Sequence, residues 1–160
     1  MSTQVAPIGP HPGVGVLFIG SLLWSEPAQA AAVLELVADD DMATPSLSLV
    51  LSAVRRLVMA GTPPGPQLVL DSLRREGTLK NFALKDLQDA ATSGAQPLAL
   101  REYAAAVVSD ALRRRIDSAG VALTTAAADA AEATLAPLVS KATVACLGCA
   151  GRLDQLRGDS

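Results

Sequence analysis

The side chains best suited to chemistry in this sequence are few and scattered. The sharpest local motif is Cys146-Leu-Gly-Cys149. Two thiols at this spacing can exchange a disulfide when a helix N-terminus or a nearby cation lowers the pKa of one of them, usually in a thioredoxin-like βαβ setting. Here the pair lies late in an Ala-rich, helix-forming stretch, the wrong setting, and no thiolate-stabilising charge is identified. Structural zinc takes about four ligands, and there is neither a second Cys pair nor a neighbouring His, so zinc would have to be shared between two copies. Two small buried or half-buried thiols are the expected outcome. His11 is the single histidine and sits among prolines and glycines, so a His-based nucleophilic dyad has no seat. No Gly-rich loop ending in Gly-Lys-Ser/Thr is present, which removes the P-loop phosphate cradle. The carboxylates Asp39, Asp40, Asp41, Asp129 and Glu132 show no paired arrangement that calls for acid–base work. The expectation is a chain with no catalytic residue, cofactor, metal ion or small-molecule substrate.

The basic residues invite a second question. Arg55-Arg56, Arg74-Arg75 and Arg113-Arg114-Arg115 could form phosphate patches, but the net charge is −3 and the chain has one Trp, one Tyr and two Phe. Nucleic-acid affinity rests on cations meeting phosphates, and single-strand binders add stacking aromatics. Direct nucleic-acid binding is therefore not expected. Arg113–Arg115 read as a solvated face late in a long helix, where cations suit the dipole. Arg55 and Arg56 likewise lie away from the apolar face of their helix.

The elements that must position these residues read as helices throughout. Half of the 160 residues are apolar, mostly Ala, Leu and Val. Ala and Leu lose little side-chain freedom in a helix, and no β-branched, aromatic alternation suggests a strand. Residues 1–13 hold three Pro and two Gly and read as a loose tail. Val14–Trp24 is apolar on most sides, hence a buried helix, in which Gly20 permits close approach of a neighbour. Ala28-Gln29-Ala30 imitates a signal-peptidase site. With no Lys or Arg before Arg55, however, the basic start of an export signal is missing, and the run is far short of the ~20 residues that span a bilayer. A second helix follows over about Glu26–Ala38, with Asp39–Asp41 as a polar stop.

Thr44-Pro45 opens a third helix, a capping hydroxyl followed by Pro at the first position. It places Leu47, Val50, Leu51, Val54, Leu57 and Val58 on one face, and Gly61 closes it. A stiff connector, Thr62-Pro63-Pro64-Gly65-Pro66, leads to a helix over about Pro66–Glu76 that buries Leu68, Val69 and Leu73 and ends at Gly77. A short helix near Ala83–Thr92 precedes the turn at Ser93-Gly94. Two long Ala-rich helices follow, Pro97–Ala119 and Thr125–Leu156, with Gly120 as the break. The expected fold is all-α: a single helical domain over 14–157, with a compact bundle of short helices as a globular head (14–95) and a long helical hairpin (97–157).

In order and spacing, several of these pieces resemble the N-terminal domain of bacterial replicative DNA helicases of the DnaB type. Ile19-Gly20-Ser21-Leu22-Leu23 matches the Leu-Gly-x-Leu-Leu of that family's first helix. Leu57-Val-Met-Ala-Gly61 matches the Leu-x-x-x-Gly that ends a later one. Pro63 through Leu73-Arg-Arg-Glu-Gly77-Thr-Leu79 looks like its Pro-containing linker and following helix. Tyr103-Ala104-Ala-Ala-Val107, with Arg114 at the expected distance, looks like the signature that opens its hairpin. The resemblance runs from Val14 to Cys149. Four places depart from the pattern: Gly15 replaces an acidic residue, Met42-Ala43 an aromatic pair, Leu47 a His, and Gly65 an Asp. The lost acidic and aromatic positions (Gly15, Met42, Ala43 and Gly65) suggest a surface turned toward another partner.

The resemblance implies a head and hairpin that mediate contacts between subunits and recruit primase, without the ATPase motor that would begin where this chain ends. The expected function is non-catalytic and cytoplasmic: a protein–protein interaction and oligomerisation domain with no membrane association. Its expected partners are a second copy, in a homodimer or an assembly of dimers, and primase or the replicative helicase. The alternatives are a helical homodimeric scaffold with an unrelated partner, and a redox or metal protein using Cys146 and Cys149. The expected oligomer interface takes Tyr103, Val107, Val108, Leu112 and Ile116 from the first long helix and Leu135, Leu138 and Val139 from the second.

Overall fold

The core is built around an apolar helix that meets neighbours on nearly every side. In the computed structural model, which describes residues 13–158, this is α1 (Val14–Leu23), where Phe18, Ile19 and Leu22 have no solvent exposure. The expected N-terminal tail, with His11, lies outside the described residues apart from Gly13. After α1 come α2 (Pro27–Leu34), a 3-10 turn at Asp39–Asp41, α3 (Pro45–Met59), α4 (Pro66–Arg75), α5 (Asn81–Ala91), a 3-10 turn at Pro97–Ala99, α6 (Leu100–Asp129) and α7 (Glu132–Gly158). Every regular element among the described residues is helical, as expected.

The local signals work as the chemistry requires. The Thr44 hydroxyl accepts the Leu47 N–H and caps α3. Gly61 and Gly77 adopt positive φ, so Thr62 and Thr78 donate back to the carbonyls of Leu57 and Leu73 and close α3 and α4. α1 packs against α3, α5 and α6, and the contact with α5 is close at Gly20. A Cβ there would stand 2.6 Å from the Ala90 carbonyl oxygen and 2.5 Å from the Ser93 hydroxyl. The opening turns of α6, through Leu100, Ala104, Val107, Val108 and Ala111, complete the same core. The head therefore does not end at residue 95, because it borrows the start of the hairpin.

Three expectations are corrected. Leu68 is exposed, whereas α4 buries Val69 and Leu73 as expected. Asp39–Asp41 is no polar stop: Asp41 turns inward and is buried. The hairpin does not break at Gly120, which lies within α6; the chain reverses at Ala130, whose ψ of 151° is extended. The register of the two arms explains the position of the turn. Cys149 meets the Val108 carbonyl and Arg101 meets that of Leu156, and the midpoint of both pairs falls between residues 128 and 129. A mid-helix Gly disfavours the helix by only ~1 kcal/mol relative to Ala, which the surrounding helix formers absorb. The resulting arms of 30 and 27 residues are about 45 and 40 Å long at 1.5 Å per residue.

Candidate functional site

The root of the hairpin is tied to the head by a buried carboxylate. Asp41 has no side-chain exposure, and its Oδ1 accepts from Arg115 at 2.7 Å and from Arg152 at 3.1 Å. Its Oδ2 accepts from the Arg152 Nη1 and, at 2.8 Å, from the Ala38 N–H. Arg114 donates to the Asp41 carbonyl at 2.6 Å, and Arg152 reaches the Leu36 carbonyl at 3.1 Å. One head residue thus engages α6 and α7 together. Arg55 similarly closes the end of α2, donating to the Leu34 and Val37 carbonyls and to Asp39 at 3.1 Å. Arg114, Arg115 and Arg55 are therefore not the free solvated cations that the sequence suggested. Single-sequence spacing gives no signal for pairing residue 41 with residues 115 and 152.

Beyond this root the hairpin is two helices thick. Its less exposed positions recur every three or four residues, at Leu112, Arg115, Ala119, Leu123 and Ala126 on α6 and at Leu135, Leu138, Ala142, Cys146 and Cys149 on α7. That is the spacing of a coiled-coil seam. The rest of the apolar content faces outward: Ile116, Val121, Val139, Val144 and Leu147 are each more than half exposed. On one side Ile116, Gly120 and Leu123 of α6 and Ala142, Cys146 and Leu147 of α7 line an open apolar groove of about 370 Å³.

The expected interface residues divide accordingly. Val107 and Val108 are buried in this chain's own core, so they offer nothing to a partner. Tyr103 and Leu112 pack against that core at its edge. Leu135 and Leu138 lie on the seam, half-buried. Ile116 and Val139 are the two that the structure leaves exposed. The apolar stripe read from sequence merged three environments, because an unbroken periodicity cannot show where the head ends and the free hairpin begins.

Both thiols are free; Cys146 is half-buried and Cys149 buried. The Cys149 S–H lies 3.7 Å from the Val108 carbonyl. Burial pushes its pKa up, outweighing the opposite pull of Arg152 and Arg115. Cations do approach this thiol, contrary to the sequence reading, but desolvation prevails. No group of three or more His, Cys, Asp or Glu able to hold a metal occurs among the described residues.

A head of short helices feeding a long hairpin is an architecture found among solved structures. The crystal structure of the N-terminal domain of DnaB helicase from Mycobacterium tuberculosis superimposes with a TM-score of 0.71 and 25% identity, over 87% of this chain and 99% of that one. The present chain has the fold of a DnaB helicase N-terminal domain. No protein-family model and no curated protein matches it.

Within that fold the matched motifs have visible work. Gly20 admits α5, Gly61 and Gly77 close their helices, and Arg114 holds the Asp41 carbonyl. The departures are informative as well. A Cβ on Gly15 would lie 3.2 Å from the Met42 side chain and 3.3 Å from that of Leu47, and both of these are buried. Three of the four departures therefore meet in one interior contact. The expectation of a redirected surface is corrected at Gly15 and Met42, while Ala43 remains exposed.

By length and composition α7 is long and apolar enough to cross a membrane. In this fold it lies along α6, with Cys149 and Leu156 buried and Arg152 bonded to Asp41.

Proposed function

We propose that this chain is a non-catalytic, cytoplasmic interaction domain that self-associates through its hairpin and docks onto the DNA-replication machinery, with primase or the replicative helicase as partner. The observation that carries the reading is the apolar face of the outer hairpin, where Ile116, Val139 and Leu147 stand exposed beside an apolar groove. Fully burying a large aliphatic side chain contributes about 1.5–3 kcal/mol, and a two-helix arm cannot cover both of its own faces. A second hairpin of the same shape supplies the missing layer, turning two helices into a four-helix arrangement. The likeness to a DnaB helicase N-terminal domain supports the replication partners. The raised Cys149 thiol speaks against thiolate redox chemistry at that position.

The test uses Ile116→Asp with Leu147→Asp, both at exposed sites that leave the head intact. Light scattering should give an oligomer for the parent chain and a monomer for the variant. Interferometry against the host's primase and helicase should show binding to at least one. A parent chain that is monomeric at high concentration removes the self-association. A dimer that binds neither protein leaves a homodimeric scaffold with a different partner.

A further inference from the structure

On the opposite side of the two helices from the apolar groove, α6 and α7 flank a second, open cleft of different chemistry at the hairpin root. It measures about 910 Å³ and is lined by Arg114, Arg115, Arg152, Val144 and Gly148, with Asp40 at the edge. We propose that this cleft binds an acidic peptide segment of a partner protein, its carboxylates taken by Arg114 and Arg115 and its small apolar side chains by the Val144 wall.

The argument begins with donors. A guanidinium carries five N–H groups. Arg115 uses only its Nη2, toward Asp40 and Asp41, and Arg114 only its Nη2, toward the Asp41 carbonyl. Among the described residues the Nε and Nη1 of both arginines meet no protein acceptor. These groups are nonetheless held in place, because the buried Asp41 anchors Arg115 and Arg152 from beneath. Fixing a side chain before binding removes much of the ordering cost of association. Guanidinium is also the group that grips carboxylates through paired N–H donors.

The charges favour the same occupant. Three cations face Asp40 and Asp41, leaving the cleft net positive in a chain of net charge −3. Asp40 is 79% exposed and touches Arg115 only at 3.3 Å, so an incoming carboxylate can displace it. A Cβ on Gly148 would meet nothing within 4 Å, so the floor is open to a main chain. No aromatic side chain lines the cleft to stack a base. That absence makes a peptide a better fit than single-stranded nucleic acid.

The test is fluorescence anisotropy with a fluorescein-labelled peptide of alternating Glu and Ala, its Lys counterpart and single-stranded oligothymidylate, with inorganic phosphate as competitor. Two variants keep the ion pairs of the Asp41 carboxylate with Arg115 and Arg152: Arg114→Glu reverses one cleft cation and gives up only its bond to the Asp41 carbonyl, and Gly148→Leu fills the floor. The Glu peptide should saturate and weaken with added salt, and each variant should bind it roughly tenfold more weakly or worse, about the effect of one charge-assisted contact. The Ile116→Asp, Leu147→Asp chain should bind it unchanged. The proposal is overturned by equal binding of the Glu and Lys peptides, by variants that bind like the parent, or by tighter binding of oligothymidylate. Displacement by millimolar phosphate, which would mark a small-anion site, overturns it as well, as does loss of binding in the hairpin-face variant.

Discussion

Replacing Asp41 by Ala should destabilise the protein by about 3 kcal/mol, because removing one partner of a buried ion pair costs about 3–5 kcal/mol. The carboxylate has no exposure, and its oxygens accept from Arg115, twice from Arg152, and from the Ala38 N–H. Removal leaves two guanidiniums and a backbone donor without their acceptor. Both arginines keep 24% side-chain exposure, so water recovers part of the loss and the lower end of that range applies. The neighbouring residue is the control. Asp40 is 79% exposed with one contact at 3.3 Å, and exposed pairs of this kind contribute at most about 1 kcal/mol. Urea unfolding followed by circular dichroism should then separate Asp41→Ala from Asp40→Ala by about 2 kcal/mol or more. Replacing Asp41, Arg115 and Arg152 together by Leu, Met and Met should recover much of the loss, since an apolar cluster of similar volume needs no charge compensation. Equal stabilities of Asp40→Ala and Asp41→Ala would refute the buried latch and its joining of head to hairpin.

Four further expectations use the same unfolding assay or simple labelling. Gly20→Ala should destabilise despite its gain in helix propensity. The new methyl meets the Ala90 backbone oxygen at 2.6 Å, and overpacking of about 1–3 kcal/mol exceeds the ~1 kcal/mol gained. Gly120→Ala should stabilise by up to ~1 kcal/mol, because its Cβ meets nothing; a loss there would restore the turn to Gly120. At pH 8 iodoacetamide should label Cys146 well before Cys149, whose thiol is buried and pushed up by desolvation. A folded pKa above the unfolded one means that the Cys149 contribution is complete below about pH 8.5 and is lost as pH rises toward the folded value. The stability advantage of the parent over Cys149→Ala should therefore shrink at alkaline pH.

Much of the fold was legible because its signals are local. Thr44-Pro45, Gly61 and Gly77 punctuate helices through caps that two to five neighbouring residues decide. The α3 face followed from 3.6-residue spacing, and Gly20 from its place in an apolar run. The illegible parts depend on partners far apart in the chain. Gly120 looked like the turn because a glycine is the visible breaker, whereas the reversal at Ala130 is set by pairs such as Val108 with Cys149. Asp41 looked like one of three solvated acids, since its arginines lie more than 70 residues away. Val107 and Val108 looked like interface because burial inside the head and burial against a partner leave the same apolar mark.

The positions where this chain departs from the DnaB pattern show how a diverged sequence keeps a fold. Gly15, Met42 and Leu47 each break the family pattern, and each alone would read as a lost functional group. In space they are one contact: the side chain absent at residue 15 leaves the volume that Met42 and Leu47 occupy. Met42 has three rotatable bonds and fills irregular gaps well, so the space beside Gly15 is closed by apolar side chains. The segment carrying Met42 begins immediately after Asp41, whose carboxylate secures the hairpin root. Packing Met42 against α1 on one side and bonding Asp41 to α6 and α7 on the other fixes the same short stretch from both directions. Head and hairpin root are thereby joined through one short stretch, and the hairpin keeps two faces of different chemistry, apolar on one side and cationic on the other.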